Sequence, residues 1–330
     1  MKNKFLNVMC CAACLLLQAG CEESFDMDFP DYVSGGIAFE GSVTSEHPPY
    51  FFHLTRPAAM AEEDNVFEGI DDATVVVTDL TEGIRDTLQL VEPYMDYGGM
   101  FYNYYDYFKQ EHTRYNANGM FEPSGKGMYV TTKIYGIEGH SYQLDIYYEG
   151  KHCQSDVQRM EPALIFTDIK LKKFDLGEKG KSWAPCISFI NPRGVDNYYL
   201  FKPYYGSYTY FSFKMPENLL DTGQNWGYSI LSDEYLEENV VDFLIDDGEN
   251  ALSYPTGWDY PKTDSVFVWA QTISKSCYDV LGQLIEQFRT DGGAYTPVPT
   301  TVRGNISGGV YGYFSVCAVS EIGIATGEPL

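Results

Sequence analysis

The chain has 330 residues, with 22 Lys and Arg against 47 Asp and Glu, a net charge of −25 and 16% aromatic side chains. A nucleic-acid binder needs dense Lys and Arg to displace the counterions condensed on phosphates, so this balance excludes that class. Acidity of this size keeps a protein soluble and repels anionic surfaces; it identifies no partner.

Met1 to Lys4 form a short basic n-region that runs into the apolar stretch Phe5 to Leu17. A spanning helix needs about 20 consecutive apolar residues, so residues 1–20 are expected to be a secretory signal and not a permanent anchor. Ala19-Gly20-Cys21 resembles the lipobox at which bacterial lipoproteins are cut and the new N-terminal cysteine is acylated, although Gln18 stands where Leu is usual. A cut at Cys14 instead would leave Leu15 to Leu17 exposed. Acyl chains on Cys21 would hold the protein on a membrane without a span, each buried CH₂ contributing roughly 0.8 kcal/mol. Glu22-Glu23 resembles the surface-export signal of Bacteroidota-type lipoproteins, and that resemblance implies a protein of the outer membrane, lipid-anchored and expected to face the cell exterior. The alternative is that the two glutamates begin a solvated tether.

Cleavage before Cys21 removes Lys2 and Lys4 and no acid, taking the charge to −27. It also removes Cys10, Cys11 and Cys14, so the C-x-x-C of Cys11 to Cys14 carries no redox chemistry in the mature chain. Cys153, Cys186, Cys277 and Cys317 remain beside Cys21 and admit three pairings. An exported protein can hold such disulfides; buried free thiols acting as small apolar residues are the alternative, and the sequence leaves both open.

Residues 21–33 form an acidic tether containing Pro30. At about 150 residues per domain the rest makes two β-rich domains, 34–160 and 161–330, with a polar seam over Gln154 to Leu164. The first is expected to be an Ig-like or transthyretin-like β-sandwich, with strands over Ile37 to Val43, Tyr50 to Thr55, Thr74 to Thr78, Thr87 to Val91, Met128 to Tyr135 and Tyr142 to Tyr148. In the last of these, Tyr142, Leu144, Ile146 and Tyr148 share one face, which predicts that this face is buried. The second is expected to be a β-sandwich or barrel-like domain. Its strands run over Ile165 to Phe174, Ile187 to Ile190, Tyr198 to Phe201, Tyr208 to Phe213, Val266 to Ile273 and Val310 to Val319. One amphipathic helix is predicted near 274–290, the only segment with a clear helical period. Its stripe is Tyr278, Leu281, Leu284, Ile285 and Phe288, and Gly292-Gly293 stops it. It should lie on the second domain's sheet. The fold class is therefore mainly β.

The search for chemistry gives no catalytic, metal-binding or cofactor-binding set. Gly180-Lys181-Ser182 imitates the end of a P-loop, but Asp175 stands where the first glycine is needed. H-E-x-x-H, G-x-S-x-G and S-x-x-K do not occur. The five histidines are scattered; His140 and His152 flank one expected strand, and surface roles outweigh a metal site. The acids from Asp233 to Glu249 lack ordered calcium-loop spacing and are read as a solvated face. Aromatic crowding is more informative. Tyr94, Tyr97, Phe101, Tyr102, Tyr104, Tyr105, Tyr107 and Phe108 precede an expected loop, and Tyr204, Tyr205, Tyr208, Tyr210 and Phe211 follow in the second domain. Exposed rings favour recognition, whereas strand aromatics also fill β cores. Tyr102, Tyr104, Tyr105, Tyr107, Tyr204 and Tyr205 are the candidate contacts for a ligand or partner.

Several phrases resemble a Bacteroidota lipoprotein family known as domain of unknown function 4249: Ala73-Thr-Val-Val-Val-Thr-Asp79, Gly139-His-Ser-Tyr-Gln-Leu144, Phe189-Ile-Asn-Pro-Arg-Gly194 with Asn197-Tyr-Tyr199, Leu231-Ser-Asp-Glu234, and Gly304-Asn-Ile-Ser-Gly-Gly309 with Tyr311-Gly-Tyr-Phe314. The resemblance implies an outer-membrane lipoprotein commonly encoded beside TonB-dependent transporters, with no established activity. Apart from it, Gly304, Gly308, Gly309 and Gly312 are expected to serve the backbone of a sharp turn before the final strand. The expected function is a non-enzymatic accessory or interaction subunit of such a transporter. The alternatives are a glycan- or peptide-binding surface module using exposed tyrosines, and an enzyme of unrecognised mechanism.

Overall fold

The computed structural model describes residues 36–56, 68–96, 99–116, 126–175, 181–206, 229–245, 265–290, 302 and 304–325. The signal segment, the tether with Cys21, Tyr97, the expected strand Tyr208 to Phe213, and Asp246, Asp247 and Glu249 lie outside these residues. In chain order the elements are β1 (Ile37–Thr44), β2 (Phe51–Arg56), β3 (Glu68–Gly69), β4 (Thr74–Asp79), β5 (Ile84–Thr87), β6 (Gln89–Val91), β7 (Pro93–Asp96), β8 (Gly99–Asp106), β9 (Glu111–Asn116) and β10 (Met128–Val130). They continue with β11 (Ser141–Tyr148), β12 (Lys151–Gln154), β13 (Gln158–Arg159), β14 (Ile165–Asp175), β15 (Lys181–Ile190), β16 (Tyr198–Gly206), β17 (Ser229–Ser232), β18 (Asn239–Leu244), β19 (Ser265–Ile273), α1 (Lys275–Thr290) and β20 (Val310–Ala325).

The strands form a large sheet of order β17-β16-β19-β20-β1-β2-β10-β6, with β3 on β2, and a second of order β12-β11-β4-β5, with β13 on β11. Two three-stranded sheets, β14-β15-β18 and β7-β8-β9, complete the described residues, and no barrel closes among them. The body is mainly β, as the alternating pattern predicts. Tyr142, Leu144, Ile146 and Tyr148 all point inward from β11, against Phe39, Phe52, Leu54, Val75 and Val77, so the sandwich core lies between the first two sheets. A second core, built on Ile187, Phe189, Tyr199, Phe201 and Val268, lies against β14-β15-β18.

The seam at 160 is crossed by one strand. β20 pairs parallel with β1, Ile37 opposite Val310 through Thr44 opposite Cys317, and antiparallel with β19. Val310, Phe314 and Val316 fill the first core, while Ile322 and Ile324 pack on the second. The polar segment Gln154 to Leu164 is bonded to the region where the helix starts. The Gln158 side chain is buried and donates to Ser276 Oγ at 2.9 Å, and Ser274 Oγ donates to Gln158 Oε1.

Helix α1 begins where Ser274 Oγ accepts the Cys277 N–H at 3.2 Å, which satisfies one of the orphan donors of its first turn. Its buried side is Cys277, Val280 and Leu281, packed on Leu200, Ile273, Tyr313 and Cys317, with Tyr278 and Leu284 at the margin. This stripe is turned slightly from the predicted one because Cys277 serves as an apolar residue. All four described cysteines are buried free thiols, the second of the two readings; burial pushes the Cys277 thiol up to about 12 and that of Cys317 upward as well.

Strand β10 stops at Val130, earlier than predicted, because a side chain captures the backbone beyond it. Buried Asp86 accepts N–H bonds from Thr132 (2.7 Å), Lys133 (2.7 Å) and Ile134 (3.2 Å), and a hydroxyl bond from Thr132 (2.6 Å). Three amides that would otherwise propagate a strand ladder are thereby drawn to one carboxylate.

In β2, His53 Nε2 lies 3.0 Å from the Lys126 carbonyl, opposite Glu40 and Met128 in the neighbouring strands. Desolvation lowers its pKa from 6.5 to about 4, opposed by that carbonyl. Between these values the unfolded chain binds a proton that the folded chain does not. The contribution to stability is therefore fully present above 6.5 and is lost as pH falls toward 4. An NMR titration of the His53 ring is expected to show a midpoint near 4; a midpoint near 6.5 would refute this placement.

Candidate functional site

The rings from Tyr94 to Phe108 are expected to precede a loop; of the described ones, Tyr94, Phe101, Tyr102, Tyr104 and Tyr105 lie in the small sheet β7-β8-β9, and Tyr107 and Phe108 in the turn between β8 and β9. The middle strand of that sheet alternates as a half-buried strand must. Tyr102, Tyr104 and Asp106 are buried, whereas Phe101, Asn103 and Tyr105 face the other way. Tyr102 and Tyr104 join Val91, Met128 and Val130 in a third core, with Tyr104 edge-on to Phe51 at 5.4 Å. Burial pushes both phenols up. These two residues are therefore corrected from candidate contacts to core residues: strand alternation sends every second ring inward.

The outward positions carry the candidate site. Register places Tyr94 opposite Phe101, Arg114 opposite Asn103 and His112 opposite Tyr105. The Arg114 guanidinium lies 3.4 Å from the Phe101 ring centre and 5.9 Å from that of Tyr94, stacked in the way that guanidinium planes favour. Tyr105 meets Tyr107 edge-on at 5.0 Å and His112 at 5.3 Å. Tyr94 is 51% and Tyr107 49% exposed. The rings of Phe101, Tyr94 and Tyr105 thus share one face with an amide, an imidazole and a guanidinium.

The β8–β9 connection is held firmly. Asp106 Oδ1 accepts from Phe108 N at 2.9 Å and Lys109 N at 3.0 Å. Phe108 packs edge-on against Tyr135 at 5.0 Å, and His47 touches both rings, which fixes the turn to the sandwich. The backbones of Tyr204 and Tyr205 lie in β16, opposite Phe267 and Val266; their side chains lie outside the described residues.

The other sequence candidates resolve into structural joints. His140 and His152 sit at opposite ends of β11, about 20 Å apart by strand rise, each on its own aspartate. His140 Nδ1 is 2.8 Å from Asp79 Oδ2, while Asp79 Oδ1 accepts from Thr81 and Glu82 to close the β4–β5 turn. His152 Nε2 is 2.6 Å from Asp145 and stacks on Tyr147 at 4.6 Å. Among the described residues no group of three or more His, Cys, Asp or Glu is placed to hold a metal ion. The acidic stretch contains β18, in which Asp242 takes Lys172 at 2.7 Å and Lys170 at 3.2 Å; these bonds hold its carboxyl below the usual range. Lys181 and Ser182 of the P-loop imitation begin β15.

The phrases behind the family resemblance also meet as joints. Asn197 Nδ2 reaches Asp233 Oδ2 at 2.8 Å and Tyr199 OH donates to Asn191 Oδ1 at 2.9 Å, stitching the 191–197 loop to the turn after β17. Asn305 pairs with the backbone of Phe314 through both side-chain atoms at 2.8 Å, like a short strand. Gly308, Gly309 and Gly312 have φ of +80°, +79° and +91°, the backbone role expected of them.

Fold and site together define a mainly β, sandwich-like protein with an open aromatic face. The family model described as a domain of unknown function, DUF4249, matches residues 22–322, and the chain belongs to that family. No curated protein matches it.

Proposed function

We propose that the protein is a lipid-anchored recognition module of the outer membrane. It is tethered through Cys21, faces the cell exterior and works by contact, as an interaction subunit beside a TonB-dependent transporter. The observation that carries the contact reading is the outward face of β7-β8-β9: half-exposed rings beside a stacked guanidinium, on a sheet fixed to the body by Phe108, Tyr135 and His47. Large rigid rings with polar tips contribute contact area at little entropic cost. The anchoring reading rests on the basic n-region, the short apolar stretch, Ala19-Gly20-Cys21 and the acidic Glu22-Glu23.

Cys21→Ala is expected to abolish incorporation of labelled palmitate and to move the protein from the membrane pellet to the soluble fraction. Wild-type protein on intact cells should be accessible to added protease. Undiminished labelling of Cys21→Ala, or wild-type protein protected until cells are lysed, would overturn the anchoring or the orientation, respectively.

A further inference from the structure

We infer that Cys277 and Cys317 are joined as a disulfide in the mature protein, a crosslink between helix α1 and β20; this rests on the export part of the proposed function. Two thiols can join only where their side chains point at each other at close range. On β20, Phe314, Val316 and Ala318 fill the first core, so alternation turns Tyr313 and Cys317 to the opposite face, against α1. On α1, Cys277 shares one stripe with Val280 and Leu281, three and four residues further on, and that stripe is the side packed on the sheet. Chain connectivity brings the two together. Thr272 of β19 stands opposite Ala318, so Ile273 comes beside Cys317, and Ser274 alone separates β19 from α1. The first turn of the helix, which holds Cys277, therefore starts beside Cys317. Both side chains are fully buried, and the buried Ser315 hydroxyl borders both sulfurs.

The other two cysteines lie apart from this pair. Cys153 fills the first core beside Gly308, and Cys186 lies in β15 beside Lys172 and Asp242. Of the bonds that the three pairings would require, 277–317 is the one whose partners share a cluster. The two thiols stand separate in the structure, and an exported chain meets an oxidising compartment in which such a dithiol is converted. One thiolate attacks a sulfur of the disulfide carried by an exported thiol oxidoreductase, and the second thiolate displaces that protein from the mixed disulfide. The chain gives up two electrons and two protons, and the oxidoreductase departs as the dithiol. Burial keeps the thiols protonated, with Cys277 pushed up to about 12, so the exchange belongs to the stage before α1 docks. Once closed, the bond pins the start of α1 to the strand that serves both cores.

The test maps the thiols of the full-length protein taken from cells, with every free thiol alkylated during denaturation before any reductant is added. Proteolysis is expected to release two peptides joined through Cys277 and Cys317, together two hydrogens lighter than the separate peptides, while Cys153 and Cys186 carry the alkyl group. Cys277→Ala should abolish the joined pair and leave Cys317 fully alkylated; the wild-type map carries the test by itself if this variant does not accumulate. Alkyl groups on all four cysteines, or a bond that includes Cys153 or Cys186, overturns the inference. Refolding the reduced chain in a glutathione redox buffer separates the two sources of failure. A chain that forms no 277–317 bond in that buffer either refutes the juxtaposition of α1 and β20. One that forms the bond in buffer, but carries four alkyl groups when taken from cells, refutes its passage through an oxidising compartment and with it the export reading.

Discussion

Gly312→Ala is expected to leave little folded protein. Gly312 has φ +91°, a backbone that L side chains rarely adopt, and an added Cβ would lie 2.1 Å from the Phe39 carbonyl oxygen in β1. The obstacle is backbone, so no rotamer change relieves it. On its other side Gly304 approaches so closely that a Cβ there would come within 1.7 Å of the Gly312 carbonyl. Three stretches of main chain therefore meet at one point, and the strand carrying Gly312 serves both cores. The expected loss exceeds about 4 kcal/mol, a large part of the roughly 5–15 kcal/mol that holds a domain folded. Gly309→Ala is the matched control: φ is +79° but nothing lies within 4 Å of the new Cβ, so only the left-handed penalty of about 1–2 kcal/mol applies. Urea unfolding followed by tryptophan fluorescence compares the two. Equal losses would show that the close approach to β1 is wrong.

Asp86→Ala is expected to cost about 3–5 kcal/mol, the range for breaking a buried charged network. The carboxylate is fully buried and takes the amides of Thr132, Lys133 and Ile134 and the Thr132 hydroxyl. Truncation leaves these donors facing a space without an acceptor. Asp86→Asn keeps the shape but substitutes an NH₂ for one oxygen, turning a donor toward donors, and should recover only part of the loss. Hydrogen exchange at amides 132–134 should accelerate in both variants. A loss below about 1 kcal/mol for Asp86→Ala, within the range of an ordinary hydrogen bond, would refute the central role of this carboxylate.

What the sequence discloses depends on whether a residue's neighbours are close along the chain. The inward face of β11 is legible because Tyr142, Leu144, Ile146 and Tyr148 alternate cleanly with Gln143, Asp145 and Tyr147. The helix is legible from its period, and its exact face slips because Cys277 packs as an apolar side chain. The small sheet is hidden. Rings occupy 101, 102, 104, 105, 107 and 108 in succession, so the period of two that separates buried Tyr102 from outward Tyr105 disappears. β18 is masked by the acids around it, and the lysine partners of its one acid, Asp242, lie some 70 residues away in β14. The division at 160 looks clean in one dimension because nothing local announces that the last strand returns to lie beside the first.

The same limit applies to the site. Tyr105 and Tyr107 are candidates from composition alone. Arg114, Asn103 and His112 are not, because what qualifies them is cross-strand register on β8 and β9. A signal was present in the alternation of β9, where His112 and Arg114 share a face and Thr113 between them turns to the other, but its meaning required the ring of Phe101 beneath the guanidinium.

Contact at this face is tested most directly by a photoreactive amino acid placed at position 107 in living cells, compared with the same group at position 235. Both sites are exposed, at 49% and 88%, so accessibility alone does not favour the first. Irradiation is expected to yield covalent adducts from position 107 that disappear when Tyr105→Ala is added, and none from position 235. Adducts from position 235 with none from position 107 would contradict the assignment of β7-β8-β9 as the surface by which this protein works.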